Sequence, residues 1–346
     1  MRAALLEDVG RLTMIEAEMP TIQEPDQLLI QVKRVGMCGS EVHAFCGTHP
    51  YRRPPSILGH ETAGQVVAVG PAVTRFKEGD RVMVDPLWPC GQCAECRAGY
   101  PNLCFYKKML GTAEWPGAFG EYIVAPEPTI FPLPDNMSYL QGSLIEPLMV
   151  GVHVARMANL KAGESVAVLG TGSIGGMVSG VCHALGAGPI ITADIHQHCL
   201  DAARERLGAT HDFLLPDVDP VDTIKEVTGG RGVDLAVVAA DDVSLVAQAI
   251  QMTKPRGRVV LVALLTEAPL KLRAWDIISK EINVIGSIIG NHSDIRKAIE
   301  LAASGQVDVE AIVTHVLPIE ETQRGMEMAH TKDDGAIKVT LSFEPV

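Results

Sequence analysis

Val166-Ala-Val-Leu-Gly170-Thr-Gly172-Ser-Ile-Gly175 is the stretch on which the fold turns. Its opening apolar run reads as a buried strand. Its glycines then fall in the G-x-G-x-x-G spacing. The first glycine permits a tight turn, the second lets a phosphate approach the backbone, and the third lets the next helix pack against the strand. That helix is predicted over Gly176–Leu185. Its N-terminus supplies free N–H groups and a dipole that favours an anion, with Ser173 and Ile174 between the glycines. The bare spacing is weak evidence. Here, however, the next strand, Ile190-Ile-Thr-Ala-Asp194, ends in an acid 19 residues past Gly175. A carboxylate at that point takes the ribose hydroxyls of a dinucleotide. Asp194 would repel a 2′-phosphate, and residues 195–199 offer no arginine to receive one. The expected cofactor is NAD, held by Gly170, Gly172, Ser173, Ile174, Gly175 and Asp194.

Strand-like runs at Ser165–Gly170, Pro189–Asp194, Asp212–Leu215, Val233–Ala239, Gly257–Ala263 and Glu281–Ser287 continue this pattern. Helical patterns such as Leu200–Leu207 and Val243–Met252 fall between them. Six strands with crossover helices predict an α/β fold, a doubly wound parallel sheet of Rossmann type. Upstream, residues 1 to about 145 are β-rich. Short β-branched runs (Leu28-Leu-Ile-Gln-Val, Gly64-Gln-Val-Val-Ala-Val-Gly, Asp80-Arg-Val-Met-Val) are bounded by Pro, Gly and Asp. Downstream comes one more helix, Asp294–Ser304. Gly335-Ala-Ile-Lys-Val-Thr-Leu then reads as a strand returning to the first domain. The expected division is 1–147, 148–288 and a returning segment 289–346.

A chain of 346 residues exceeds the size at which one core keeps growing, so two domains are expected. A net charge of −13 argues against nucleic acid and against an anionic membrane surface. The N-terminal residues lack the apolar run of a secretory signal. Ser165–Cys182 is uncharged but holds five glycines, which suits strand–turn–helix better than a membrane span. A cytoplasmic, reduced protein is expected.

Cys90, Cys93, Cys96 and Cys104 follow the spacing C-x2-C-x2-C-x7-C in a lobe at about 86–110. Four thiolates close a tetrahedral zinc site with no open position. Disulfides would need an oxidising compartment and a denser cysteine framework. An iron–sulfur run would continue x3-C-P, whereas here the fourth cysteine comes after seven residues and precedes Phe105. A second set of donors lies elsewhere: Cys38 in Val35-Gly-Met-Cys38-Gly-Ser40-Glu-Val-His43, the pair His60-Glu61 in Gly59-His-Glu-Thr-Ala-Gly64, and Glu146 in Leu144-Ile-Glu-Pro-Leu. A thiolate, an imidazole and carboxylates make a zinc shell that leaves a position for water or substrate. Cys46, Cys182 and Cys199 read as core or incidental.

Together these segments, with Gly117-Ala-Phe-Gly-Glu-Tyr122, resemble the medium-chain zinc-dependent alcohol dehydrogenases, and within them the sorbitol (polyol) dehydrogenase branch. The resemblance spans nearly the whole chain. It implies a GroES-like first domain, a Rossmann second domain and an active site in the cleft between them. It also implies two zincs per chain. Cys38 and His60 would bind the catalytic zinc, with Glu61 as a third ligand or alternating with water. Glu146 would sit beside the metal, binding it directly or through water. Ser40 and His43 match the family's proton relay. The implied reaction is hydride transfer from a secondary alcohol of a polyol or sugar-derived substrate to NAD. Butanediol or threonine dehydrogenases of the same superfamily, and a non-catalytic binding protein on the same fold, are the alternatives. The family is commonly dimeric or tetrameric, pairing through the last Rossmann strand. Two departures stand out. Glu41 occupies a place where Asp is commoner, a change expected to matter little. The Arg-Tyr pair that polyol relatives carry after the sixth strand is replaced by Gly286-Ser-Ile-Ile-Gly-Asn-His292. Arg52 and Arg53 read as an exposed, solvated pair, the other reading being contact with an anionic substrate.

Overall fold

The computed structural model describes residues 1–265 and 269–344; the last two residues of the expected returning segment lie outside them. The chain divides into two compact units. One comprises Met1–Glu146 and the segment from Val313 onward, the other Pro147–Ile312.

In the second unit, six parallel strands run in the spatial order His211–Leu214, Ile190–Asp194, Val166–Leu169, Val233–Val238, Thr253–Leu261, Asn283–Gly286. This is the doubly wound order 3-2-1-4-5-6. Its cause is visible in the sequence. Ala167, Leu169, Ala236 and Val238 pack on one face with Ile224, Val246 and Ile250. Their strand neighbours Val166, Val168, Leu235 and Val237 pack on the other with Val154, Val178 and Cys182. Both faces are covered, so the strands are continuous apolar runs rather than alternating ones.

The fifth strand starts at Thr253 rather than Gly257, with Arg256 at φ +62 and a register shift near its start. The crossover helix between the third and fourth strands is Pro220–Val227. Asp219 caps it, accepting N–H bonds from Val221 and Asp222, and Pro220 stands at its first position. The second unit also reaches Ile312, beyond the boundary expected at 288. The reason is the helix His292–Ala303, which buries Ile295, Ala298 and Leu301. Its Asp294 joins His153 and Arg156 of the same unit.

The first unit is built around the long strand Gln27–Gly36, which pairs antiparallel with Glu61–Val69, Tyr122–Pro126 and Lys338–Ser342. Lys338–Ser342 is therefore the returning strand, and it also pairs in parallel with Val313–Pro318. Leu28, Ile30, Val32, Val66, Val84 and Phe119 form the centre of the core. Strand register sets which side chains meet at the end of this sheet. Gly36 lies opposite Glu61 on one side and Thr340 on the other. The strand ends carrying Glu61 and Lys338 are thereby brought beside the loop that leads into Cys38.

Candidate metal centre and nucleotide site

Cys38 precedes the short helix Gly39–Phe45, which carries Ser40, Glu41 and His43. His60 comes directly after Gly59, a residue at φ +97 where an added Cβ would come within 2.7 Å of the Phe119 backbone nitrogen, so only glycine fits this turn. Ligand atoms of Cys38, His60 and Glu61 lie within 4.8 Å of one another.

Glu41 organises this group, a role that sequence reasoning missed. Its side chain is fully buried. One oxygen accepts the Gly59 N–H at 2.7 Å and lies 2.8 Å from His60 Nδ1; the other accepts the Cys38 N–H at 2.9 Å. With Nδ1 held by a carboxylate, His60 presents Nε2 as its metal-binding nitrogen, the arrangement that orients histidine ligands and raises their basicity. Burial opposes the His60 imidazolium, yet the Glu41 charge holds its pKa well above the ordinary value. A bound metal takes the place of that proton. Far from changing little, Glu41 ties both ligand segments together.

Lys338 is the second residue missed. It is 1 % exposed. Its Nζ donates to both Glu61 oxygens, at 2.7 and 2.8 Å, and to the Met37 carbonyl at 3.0 Å. Burial works against the ammonium, but the Glu61 carboxylate more than offsets it, and the pKa is raised. The signal was a lysine inside a buried apolar strand, an anomaly that demands a partner.

Glu146, on the first turn of the helix Ile145–Met157, lies outside the Cys38–His60–Glu61 group. It is 5 % exposed and makes no hydrogen bond with any described residue. Burial pushes its carboxyl up to about 7; Glu61 and Asp85 add to the rise, while His60 and Lys338 oppose it. A buried acid without a hydrogen-bond donor, close enough to His60 to feel its charge, fits a divalent cation of zinc's borderline character.

The proton-relay candidates both lie on the helix Gly39–Phe45, three residues apart and so on one face. His43 Nδ1 is 2.9 Å from Thr48 Oγ1. Ser40 Oγ accepts a bond of 2.7 Å from Arg52 Nη1. Arg52 is 2 % exposed, which corrects its reading as a solvated loop charge; Arg53 is exposed as expected and donates to the Gly47 carbonyl.

The four cysteines of the lobe are brought together as predicted by their spacing. Their sulfurs lie within 4.8 Å of one another, with Cys93 Sγ 3.4 Å from Cys96 Sγ and 3.7 Å from Cys104 Sγ. Those separations exclude disulfides and match tetrahedral zinc, for which bonds of about 2.3 Å put sulfurs roughly 3.8 Å apart.

In the second unit, Gly170 turns at φ +86, and a Cβ on Gly175 would lie 1.9 Å from the Gly170 carbonyl oxygen. A Cβ on Gly172 would meet nothing within 4 Å, which leaves room for a pyrophosphate. The helix Ser173–Ala184 starts there without a side-chain cap from Gly172, so its first N–H groups face that space. Asp194 is nearly buried at the end of its strand. Its oxygens accept N–H bonds from Thr171 at 2.5 Å and His196 at 2.9 Å. Each keeps a lone pair for a ribose hydroxyl.

This is the constellation of a zinc- and nicotinamide-dependent dehydrogenase, and known proteins agree. The family pattern described as the alcohol dehydrogenase GroES-like domain matches residues 24–135, and that described as zinc-binding dehydrogenase matches residues 173–304. Sorbitol dehydrogenase of Bacillus subtilis (strain 168) is 36% identical over 99% of this chain and 97% of its own. The alcohol dehydrogenase of Thermus sp. ATN1 superposes with a TM-score of 0.92 at 31% identity, over 99% of both chains. The 2R,3R-butanediol dehydrogenase of Bacillus subtilis gives 0.89 at 31% identity, again over 99% of each. The chain belongs to the zinc-dependent medium-chain alcohol dehydrogenases, in their sorbitol dehydrogenase-like branch. Its cofactors are zinc and NAD.

Proposed function

We propose that this dehydrogenase oxidises a secondary hydroxyl of a polyol or sugar-derived compound, passing hydride to NAD. The observation that carries the reading is the assembly of Cys38, His60 and Glu61 within 4.8 Å, beside a buried Glu146 that no hydrogen bond engages. When bound, zinc supplies a Lewis acid that lowers the pKa of a hydroxyl, and NAD supplies the hydride acceptor. The residues of the chain do the rest. Cys38 Sγ and His60 Nε2 hold the metal. Glu61 remains on Lys338, so Glu146 is the carboxylate free to complete the shell, directly or through water. Glu41 fixes the His60 tautomer. Ser40 accepts the substrate hydroxyl proton as its own leaves toward His43, whose imidazole passes protons on to solvent. In the second unit, the helix N-terminus at Gly172–Gly175 binds pyrophosphate, and Asp194 selects the ribose hydroxyls of NAD over a 2′-phosphate.

The chain assembles as a homodimer or homotetramer in the cytoplasm. In support, the edge strand Asn283–Gly286 exposes Val284, and Trp275, Ile278 and Ile288 are also exposed. No helix among the described residues is long and apolar enough to cross a membrane.

The test is NADH formation at about 340 nm with polyols, sugar acids, polyol phosphates, butanediol and threonine, each with NAD and NADP. Turnover highest with a polyol or its derivative and NAD is expected. Preference for butanediol would move the chain to the similar butanediol dehydrogenase. Silence across the panel from protein holding both zincs would favour a binding role on this fold.

A further inference from the structure

Arg52 is a buried cation whose side chain hydrogen-bonds only to neutral acceptors. Its Nη1 donates to Ser40 Oγ at 2.7 Å and its Nη2 to the Leu110 carbonyl at 3.1 Å. Its Nε is buried with no hydrogen-bond partner. No carboxylate among the described residues lies within ion-pair distance of it. Burying a guanidinium is costly, and two neutral acceptors and the nearby charge of buried Glu41 offset part of that cost. The nearby loop holds it in place nonetheless. His49, itself 2 % exposed, accepts the Arg52 backbone N–H at Nδ1, 3.0 Å away, and packs edge-on against Tyr51. Burial, with the Arg52 charge adding to it, lowers the His49 pKa to about 4. The ring is therefore neutral at neutral pH, and Nδ1 stays an acceptor. At 2 % exposure the guanidinium is too enclosed to be a direct binding site for a substrate anion.

We infer that Arg52 is a positioning residue for proton removal, acting on the substrate hydroxyl through Ser40. A serine hydroxyl has one proton to give and two lone pairs. Arg52 occupies one lone pair. Ser40 Oγ then has one site left to accept the substrate proton and one proton to pass on, so the relay has a single direction. As the proton moves in and the other out, Ser40 is unchanged and the alcohol oxygen gains negative charge. By holding and polarising the Ser40 hydroxyl, Arg52 acts on the developing alkoxide only through that hydroxyl. This rests on the assignment of Ser40 to the proton path.

The test is a double-mutant cycle on the zinc-loaded enzyme: wild type, S40A, R52L and S40A/R52L, with R52K as a fifth protein. The proton-path assignment predicts that S40A lowers kcat. R52L is expected to lower kcat roughly 10- to 100-fold, with the KM for NAD and the zinc content unchanged. In the S40A background it is expected to cost nothing further. R52K keeps the charge and is expected to recover part of the loss. Binding supplies a second reading. Trifluoroethanol, an acidic alcohol, titrated calorimetrically into the enzyme–NAD complex is expected to bind about tenfold more weakly to R52L than to wild type, and equally to S40A and S40A/R52L. Additive losses, or R52L with wild-type kcat, would overturn the inference while leaving Ser40 in the relay. S40A with undiminished kcat would instead remove the relay reading itself. Where R52L does not fold, the cycle with R52K decides, because its smaller loss must also vanish in S40A.

Discussion

Replacing Glu41 with Gln probes the link between the buried carboxylate and the metal site. Burial disfavours the Glu41 anion, but the His60 charge and hydrogen bond, the Arg52 charge and the Cys38 N–H together hold its pKa below the ordinary value. It is therefore ionised at neutral pH and receives the Cys38, Gly59 and His60 groups. In E41Q the amide oxygen can keep Gly59 and His60, but the amide nitrogen then faces the Cys38 N–H, donor against donor. One charge-assisted bond is lost, about 1.5–3 kcal/mol, and two become neutral and weaker by roughly half. The expected loss of stability is about 3–6 kcal/mol before relaxation. For the metal the consequence is narrower. His60 loses the partner that orients it and raises its basicity, a change that typically costs about 10- to 100-fold in affinity. The assay is competition with a coloured chelator, tracking zinc release from wild type and E41Q. The four-cysteine site serves as an internal standard, since Glu41 contacts none of its ligands. One zinc released more readily, with the other unchanged, is expected. Equal release from both sites would refute the reasoning that Glu41 works through His60.

Two further substitutions test the second unit. Asp294 accepts bonds from Arg156 and the Asn291 N–H and lies 2.8 Å from His153 Nδ1. Burial alone would raise its pKa, yet these partners lower it to about 2. A depressed carboxylate stabilises the fold above its unfolded value and loses that contribution as pH falls from about 4 toward 2. Asp294→Asn should cost about 2 kcal/mol in urea unfolding at neutral pH, with the gap to wild type closing below pH 4; equal midpoints at neutral pH would contradict this. Asp194→Ala should weaken NAD roughly 10- to 100-fold in a fluorescence titration with NADH and narrow the preference over NADPH. An unchanged preference would remove Asp194 from the ribose.

Features written in neighbouring residues were legible in the sequence. G-x-G-x-x-G after an apolar run forces strand, turn and helix, and Cys90, Cys93, Cys96 and Cys104 are close enough along the chain for spacing to dictate a cluster. The missed features depend on pairing across long loops. Lys338 meets Glu61 277 residues away because the last strand returns beside Gln27–Gly36. Glu41 reaches Gly59 and His60 because the turn at Gly59 brings that loop under a short helix. Arg52 looked solvated beside Arg53, since nothing local shows that its loop folds inward around His49. The helix at Pro220 is signalled by the cap Asp219 and a first-turn proline, while its eight residues are too few for a clear helical period.

The central claim is that Cys38 belongs to a catalytic metal site, separate from the cysteine lobe. Counting zinc per chain in wild type and Cys38→Ser, with NADH formation from polyol measured on the same samples, tests it most directly. Two zincs in the active wild type and one in a folded, NAD-binding but inactive Cys38→Ser protein would be the predicted result, matching the two ligand groups. A variant that keeps both zincs and its turnover, or a wild type that turns over polyol with only the lobe's zinc, would contradict it.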